Sequence, residues 1–302
     1  MARPKTLVEI AGPTAVGKTA ISIQLATRFK TAILSFDSRQ CYREMNIGVA
    51  RPSETELQQA THYFIASHSV HTPVDAAAYE QYALDTLHQL FQQHDVVIAV
   101  GGTGLYLKAL CEGLDAMPEI PEATRNHLRQ QYQLNGLPWL KDAVQKADPV
   151  FAADGEMENP HRMLRALEIV TVSGRSIRHF QQQQAVTRDF SIVKIGIELP
   201  REILVSRIHQ RVDAMMQQGQ EQEALQLYPH KNLQALQTVG YQELFDYFDG
   251  KCTLSEAVEQ IKTHTRQYAK RQMTWFKKDA QMHWFAPTEA EAIAHYIDTV
   301  IS

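Results

Sequence analysis

The chain has 302 residues, of which 44% are hydrophobic and 21% charged; this is an ordinary globular composition, long enough for one large elaborated domain or for two. No apolar run approaches the roughly 20 residues that span a bilayer, the start Met-Ala-Arg-Pro-Lys is no secretory signal, and three scattered cysteines (Cys41, Cys111, Cys252) exclude a zinc site and argue against a disulfide framework. The default expectation is a soluble cytoplasmic protein, and a net charge of −4 does not by itself suggest nucleic acid.

Residues 6–11, Thr-Leu-Val-Glu-Ile-Ala, read as a short buried strand that runs into a glycine loop. Residues 18–29 follow as a helix with Ile21, Leu25 and Phe29 on one side, and residues 32–36 form a second strand ending at Asp37. Ser53 and Glu56 make a capping box after Pro52, and residues 76–93 are helical. Residues 96–100 are a third, almost wholly apolar strand that leads into Gly101-Gly102-Thr103-Gly104. Apolar strands alternating with helices indicate a parallel sheet covered on both faces.

The texture changes near Met117-Pro118. Helices are expected to start at Pro121, Pro138 and Pro160, the last stopping at Ser173-Gly174. The glutamines at 181–184 read as a hinge or an exposed helix end. A strand returns over residues 191–199 and a helix starts at Pro200-Arg201. The expected organisation is an α/β core over 1–117 and 189–302, with an inserted helical domain over 118–188. The remainder is helical, broken at Gly240-Tyr241, with a second capping box at Thr253 and Glu256. Between 262 and 278 lie Lys262, Arg266, Lys270, Arg271, Lys277 and Lys278 without an acid, and Lys262, Arg266 and Lys270 share one helical face. Such a stripe is either a solvated surface or a phosphate-backbone contact.

Gly12-Pro13-Thr14-Ala15-Val16-Gly17-Lys18-Thr19 carries the most specific chemistry. Glycines at 12 and 17 followed by Lys-Thr, after a strand and opening a helix, match a phosphate loop. Successive N–H groups at the helix N-terminus cradle phosphate oxygens, Lys18 adds a positive charge, and the Thr19 hydroxyl is placed to hold Mg²⁺. Asp37 stands at a strand end, where open parallel sheets bind ligands; an acid there can cap a helix, bind magnesium or act as a general base. The Gly101–Gly104 run is either a tight turn or part of the same crevice. The third strand lacks the magnesium-holding acid of many nucleotide hydrolases, so these motifs by themselves favour a nucleotide or small-molecule kinase.

Taken together the segments resemble the tRNA dimethylallyltransferase (isopentenyltransferase) family over nearly the whole chain. The resemblance rests on the glycine loop, Asp37-Ser38-Arg39-Gln40, Tyr42, Asn46-Ile47-Gly48, Gly101 to Tyr106, Arg162 to Glu168, Arg207, Arg211-Val212-Asp213, Gly240-Tyr241, and Tyr268 to Gln272 followed by Thr274-Trp275. Phe36, Cys41, residues 49–52, residues 159–161 and Gln242 depart from the usual pattern. The resemblance implies a P-loop NTPase-like α/β core with an inserted all-helical domain that binds tRNA. It implies transfer of a dimethylallyl group from dimethylallyl diphosphate to the exocyclic amine of the adenosine 3′ of the anticodon, in tRNAs reading codons that begin with U. Asp37 then accepts the amine proton and Thr103 orients the amine. Lys18, Mg²⁺ on Thr19 and an arginine, Arg211 or Arg207, stabilise the leaving diphosphate. The tRNA anticodon stem-loop is expected on Asp37 to Gln40, Thr103, His161-Arg162-Met163-Leu164-Arg165, Gly240, Tyr241, Lys270 and Arg271, with the enzyme a monomer. An adenylate isopentenyltransferase is the nearest rival, and a phosphate-loop kinase the rival of another class.

Overall fold

A computed structural model describes residues 4–181 and 186–301. The first three residues of the start and Gln182–Gln184 of the glutamine run lie outside the described residues. The chain divides into two compact units, Met1–Cys111 with Thr187–Ser302, and Glu112–Val186.

The first unit is built on six strands: β1 (Thr6–Ala11), β2 (Ile33–Ser35), β3 (His62–Tyr63), β4 (Val96–Gly101), β5 (Ser191–Ile197) and β6 (His283–Phe285). Their order across the sheet is β3-β2-β4-β1-β5-β6, and every pairing is parallel. β1 lies centrally, its register running Thr6 against Val96 and Ser191 through Ala11 against Gly101 and Gly196. Successive side chains point to opposite faces. Leu7 and Ala11 therefore join one core with Leu34, Val97 and Ala99, while Val8 and Ile10 join another with Ile33, Ile98, Val193 and Ile195. Burial on both faces is why these strands are mostly apolar, with Glu9 in β1 and Lys194 in β5 as charged exceptions; cutting Ile10 to alanine removes about 2–5 kcal/mol of stability.

Both capping boxes form, Ser53 with Glu56 before the helix Glu54–Gln59 and Thr253 with Glu256 before the helix Leu254–Phe276. The strand ends Ala11, Ser35 and Gly101 lie side by side, so the loops that follow them converge.

The second unit is helical. Glu122–Ala147 bends at Gly136, which takes φ 72° and ψ −170° just before Pro138, as a proline-opened second segment requires. Asp148 caps the next helix, its carboxylate accepting from Phe151 N at 2.9 Å and Ile177 N at 3.2 Å. The helix Pro160–Ser173 starts on Asn159 and stops on Gly174 in the left-handed region. Leu128, Leu140, Val144, Phe151, Met163, Ala166 and Ile169 form the core of this unit.

Candidate active site

The carboxyl ends of β1, β2 and β4 open into one cavity of about 980 Å³. Its walls are the loop Thr14–Thr19, Asp37–Gln40, the segment 46–54, Gly101–Gly104, Arg211, Gly240, and one stripe of the helix Leu254–Phe276. On that helix Tyr268, Arg271, Gln272 and Trp275 face the cavity, spaced as one helical stripe.

The phosphate loop has little freedom. Gly12 takes φ 153°, and a Cβ there would stand 2.5 Å from the Ile197 carbonyl oxygen on β5, so only glycine lets the loop leave the sheet. Ala15 also adopts a positive φ, 65°, a strain that persists only where surroundings enforce it. Lys18 Nζ donates to the carbonyls of Gly12 at 2.9 Å and Pro13 at 2.8 Å, which stretches the side chain along the loop. Burial lowers the Lys18 ammonium to about pH 7; Asp37 opposes that fall and Arg211 adds to it. Arg211 Nη1 lies 3.5 Å from Thr14 Oγ1, and burial followed by Arg207 lowers its own value against Glu56 and Asp37. Arg207 is exposed and donates to the Val16 carbonyl at 3.1 Å. Of the two arginines, Arg211 is the one on the cavity wall. The Thr19 hydroxyl also lines the cavity and makes no hydrogen bond among the described residues. An oxygen donor beside phosphate-binding N–H groups fits the oxygen-only preference of magnesium.

The opposite wall is stitched by side chains. Asp37 lines the cavity, and its Oδ1 accepts from the N–H groups of Arg39 at 2.9 Å and Gln40 at 3.2 Å. Thr103 Oγ1 accepts from Ser38 N at 3.0 Å and donates to Ser38 Oγ at 3.2 Å. Burial, then Asp37, raises the Tyr268 phenol, with Arg39 and Thr103 opposing the rise. Arg39 holds the Ala235 carbonyl at 2.9 Å, and Gln40 that of Ala50 at 2.9 Å. Phe36 is fully buried against Gly101, where a Cβ would be 2.5 Å from its ring. Burial pushes the Cys41 thiol up to about 12, so it packs as a small apolar group and stays protonated.

Several expected RNA contacts have other surroundings. Met163 is 0% exposed in the helical unit's core, and Tyr241 is 0% exposed with its hydroxyl on Glu223 at 2.6 Å; both anchor packing, and neither side chain is free to meet RNA. In the helical unit His161 and Arg162 are exposed, Leu164 is half-buried, and Arg165 lies 3.4 Å from Glu168. Lys270 is exposed outside the cavity, whereas Arg271 lines it. Lys262 is not part of an open basic stripe: it pairs with Asp213 at 2.8 Å and Glu259 at 2.9 Å.

One residue escaped the sequence pattern. Glu223 accepts from the N–H groups of Asn46, Ile47 and Gly48 at 2.8–2.9 Å and fixes that rim of the cavity. Gln272 bonds Thr14 and Gly102 at once. Gln272 closes the Tyr268–Gln272 segment on which the resemblance rests, and the structure adds its two partners.

A family model described as IPP transferase matches residues 40–279. The tRNA dimethylallyltransferase of Christiangramia forsetii is 43% identical over 297 residues, 98% of each chain. Among solved structures, the tRNA isopentenylpyrophosphate transferase of Bacillus halodurans is 33% identical with a TM-score of 0.73, covering 98% of this chain and 97% of that one. A eukaryotic dimethylallyltransferase acting on tRNA shares the fold, with a TM-score of 0.80 at 24% identity over 98% of this chain and 79% of that one.

Proposed function

Given that the chain belongs to the IPP transferase family, we propose that it transfers a dimethylallyl group from dimethylallyl diphosphate to N6 of the adenosine 3′ of the anticodon, in tRNAs that read codons beginning with U. The observation that carries this reading is that Asp37 and the phosphate loop share one cavity and lie close enough for Asp37 to act electrostatically on Lys18. A carboxylate across from a diphosphate cradle is what an alkyl transfer to an amine needs.

The adenine amine is a weak nucleophile and loses a proton as its nitrogen bonds the allylic carbon. Asp37 takes that proton, with Thr103 orienting the amine. The carbon–oxygen bond to the diphosphate breaks, and its electron pair leaves with the diphosphate. Lys18, Arg211 and the loop N–H groups meet the negative charge that develops there. Thr19 and the diphosphate oxygens would hold Mg²⁺, which supplies further charge neutralisation when bound. Reaching N6 requires the adenine to leave the anticodon-loop stack, and a cavity of about 980 Å³ lined by Asp37–Gln40 and residues 46–54 has room for a flipped base. Arg266, Lys270 and Lys278 are exposed on or beside the long helix and form the proposed backbone contact, with the enzyme acting as a monomer. No helix among the described residues is long and apolar enough to cross a membrane.

The test is mass spectrometry of tRNA nucleosides after incubation with the protein, dimethylallyl diphosphate and Mg²⁺. The expected product is adenosine carrying one added isoprene unit. Unmodified tRNA, alongside phosphate transfer from labelled ATP to a nucleoside, would overturn the reading in favour of a kinase.

A further inference from the structure

Gln272 is 6% exposed, and both ends of its carboxamide are used. Its Oε1 accepts from Thr14 N at 2.9 Å and its Nε2 donates to the Gly102 carbonyl at 2.9 Å. The two partners differ in kind, one N–H and one C=O, so the amide has a single orientation that satisfies both. Thr14 belongs to the loop assigned to the leaving group. Gly102 precedes Thr103, whose hydroxyl holds Ser38 beside Asp37. One side chain thus spans from the diphosphate half of the cavity to the acceptor half, although it lies 258 residues from one partner and 170 from the other.

We propose that Gln272 is a positioning residue that sets the separation between the leaving diphosphate and the adenine amine, and so decides whether the allylic carbon is captured by the amine or by water. The inference rests on the reaction proposed above. Bond formation needs the reacting atoms about 3–3.5 Å apart, and a misplacement of about 1 Å costs roughly 10²-fold in rate. If the two loops lose their common tether, the amine withdraws while the diphosphate stays bound. Water then attacks instead: its oxygen bonds the allylic carbon, the carbon–oxygen bond to diphosphate breaks, and the water proton passes to solvent, giving dimethylallyl alcohol and diphosphate.

The neighbouring glycine offers an independent way to cut the tether. A Cβ on Gly102 would lie 2.1 Å from Gln272 Nε2 but no nearer than 3.6 Å to the Gly12 carbonyl oxygen. Gly102→Ala therefore displaces the flexible end of Gln272 and little else. Gln272→Met keeps the length and apolar stem while removing both hydrogen bonds.

The experiment measures kcat, KM for each substrate, and moles of diphosphate released per mole of modified adenosine. Wild type is expected to give a ratio of one. Both variants are expected to lose about 10²-fold in kcat with KM for both substrates little changed, and to release diphosphate in excess, the surplus matched by dimethylallyl alcohol. Wild-type kcat at a ratio of one in either folded variant overturns the proposal, as do losses confined to KM or to melting temperature. A wild-type protein that modifies no adenosine overturns the reaction itself, and is thereby told apart from a failure at Gln272.

Discussion

The two walls of the cavity are made by different means. The phosphate-loop wall is largely backbone: Gly12 pressed against Ile197 O, Ala15 at positive φ, and two loop carbonyls held by Lys18. The facing wall is largely side chain, with Asp37 capping a turn, Thr103 tied to Ser38, and Arg39 and Gln40 pinned to distant carbonyls. A backbone cradle is indifferent to most side-chain changes and intolerant of a Cβ. A side-chain wall is the reverse, and this asymmetry is what the proposed reaction asks for: one constant diphosphate on the first wall and one proton-accepting carboxylate on the second.

The sharpest way to break the contrast is Asp37→Ala. It is expected to lower kcat by about 10²–10⁴-fold while leaving the affinity for inorganic diphosphate unchanged, as read by single-turnover assay and calorimetry; equal losses in both would dissolve the distinction between the walls. Gly12→Ala should do the opposite. With its Cβ 2.5 Å from the Ile197 carbonyl oxygen, the loop must shift, and diphosphate affinity should fall about tenfold or more, a loss of roughly 1.4 kcal/mol, with tRNA affinity retained.

Smaller effects are expected on the long helix. Lys270 is exposed, whereas Lys262 is neutralised by Asp213 and Glu259. Lys270→Ala should flatten the slope of log affinity for tRNA against log salt by about 0.7–0.9, and Lys262→Ala should leave it as it was. The smallest effect concerns protons. Lys18 is held at about 7, against an ordinary 10.5, so the unfolded chain binds one more proton than the folded one between those values. The free protein therefore gains stability as pH rises through that window, and Lys18→Met loses this gain. Diphosphate next to Lys18 restores its charge. Binding near pH 8.5 should accordingly take up close to one proton more in wild type than in Lys18→Met, measured by calorimetry in buffers of different ionisation enthalpy.

β1, β2 and β4 are legible from residue order because they are buried on both faces and mostly apolar, and β5 because apolar residues dominate it despite Lys194. β3 and β6 are not: His62–Tyr63 and His283–Phe285 are short edge strands, too brief for a periodicity and partly exposed. The glycine loop announces itself by local spacing, since backbone geometry demands those residue types there. Glu223 carries no such signature, and Gln272 is marked only by its place in the Tyr268–Gln272 segment. Each acts on a segment far away in sequence, a pairing that local spacing does not reveal. Tyr241 shows the converse, an aromatic beside a glycine that looks like a contact residue and is wholly buried.

The central position of β1 also has a consequence for the order in which the chain assembles. Its neighbours are β4, ending at Gly101, and β5, ending at Ile197, and the segment between them forms a unit with its own core. At a synthesis rate of about 5–20 residues per second, roughly 5–20 s separate the emergence of β4 and β5 from the ribosome. During that interval β1 has only one flank covered, and the seat of Gly12 against Ile197 does not yet exist. The seat that shapes the loop thus depends on a strand synthesised almost a hundred residues later than its other neighbour, while the helical unit has a core of its own.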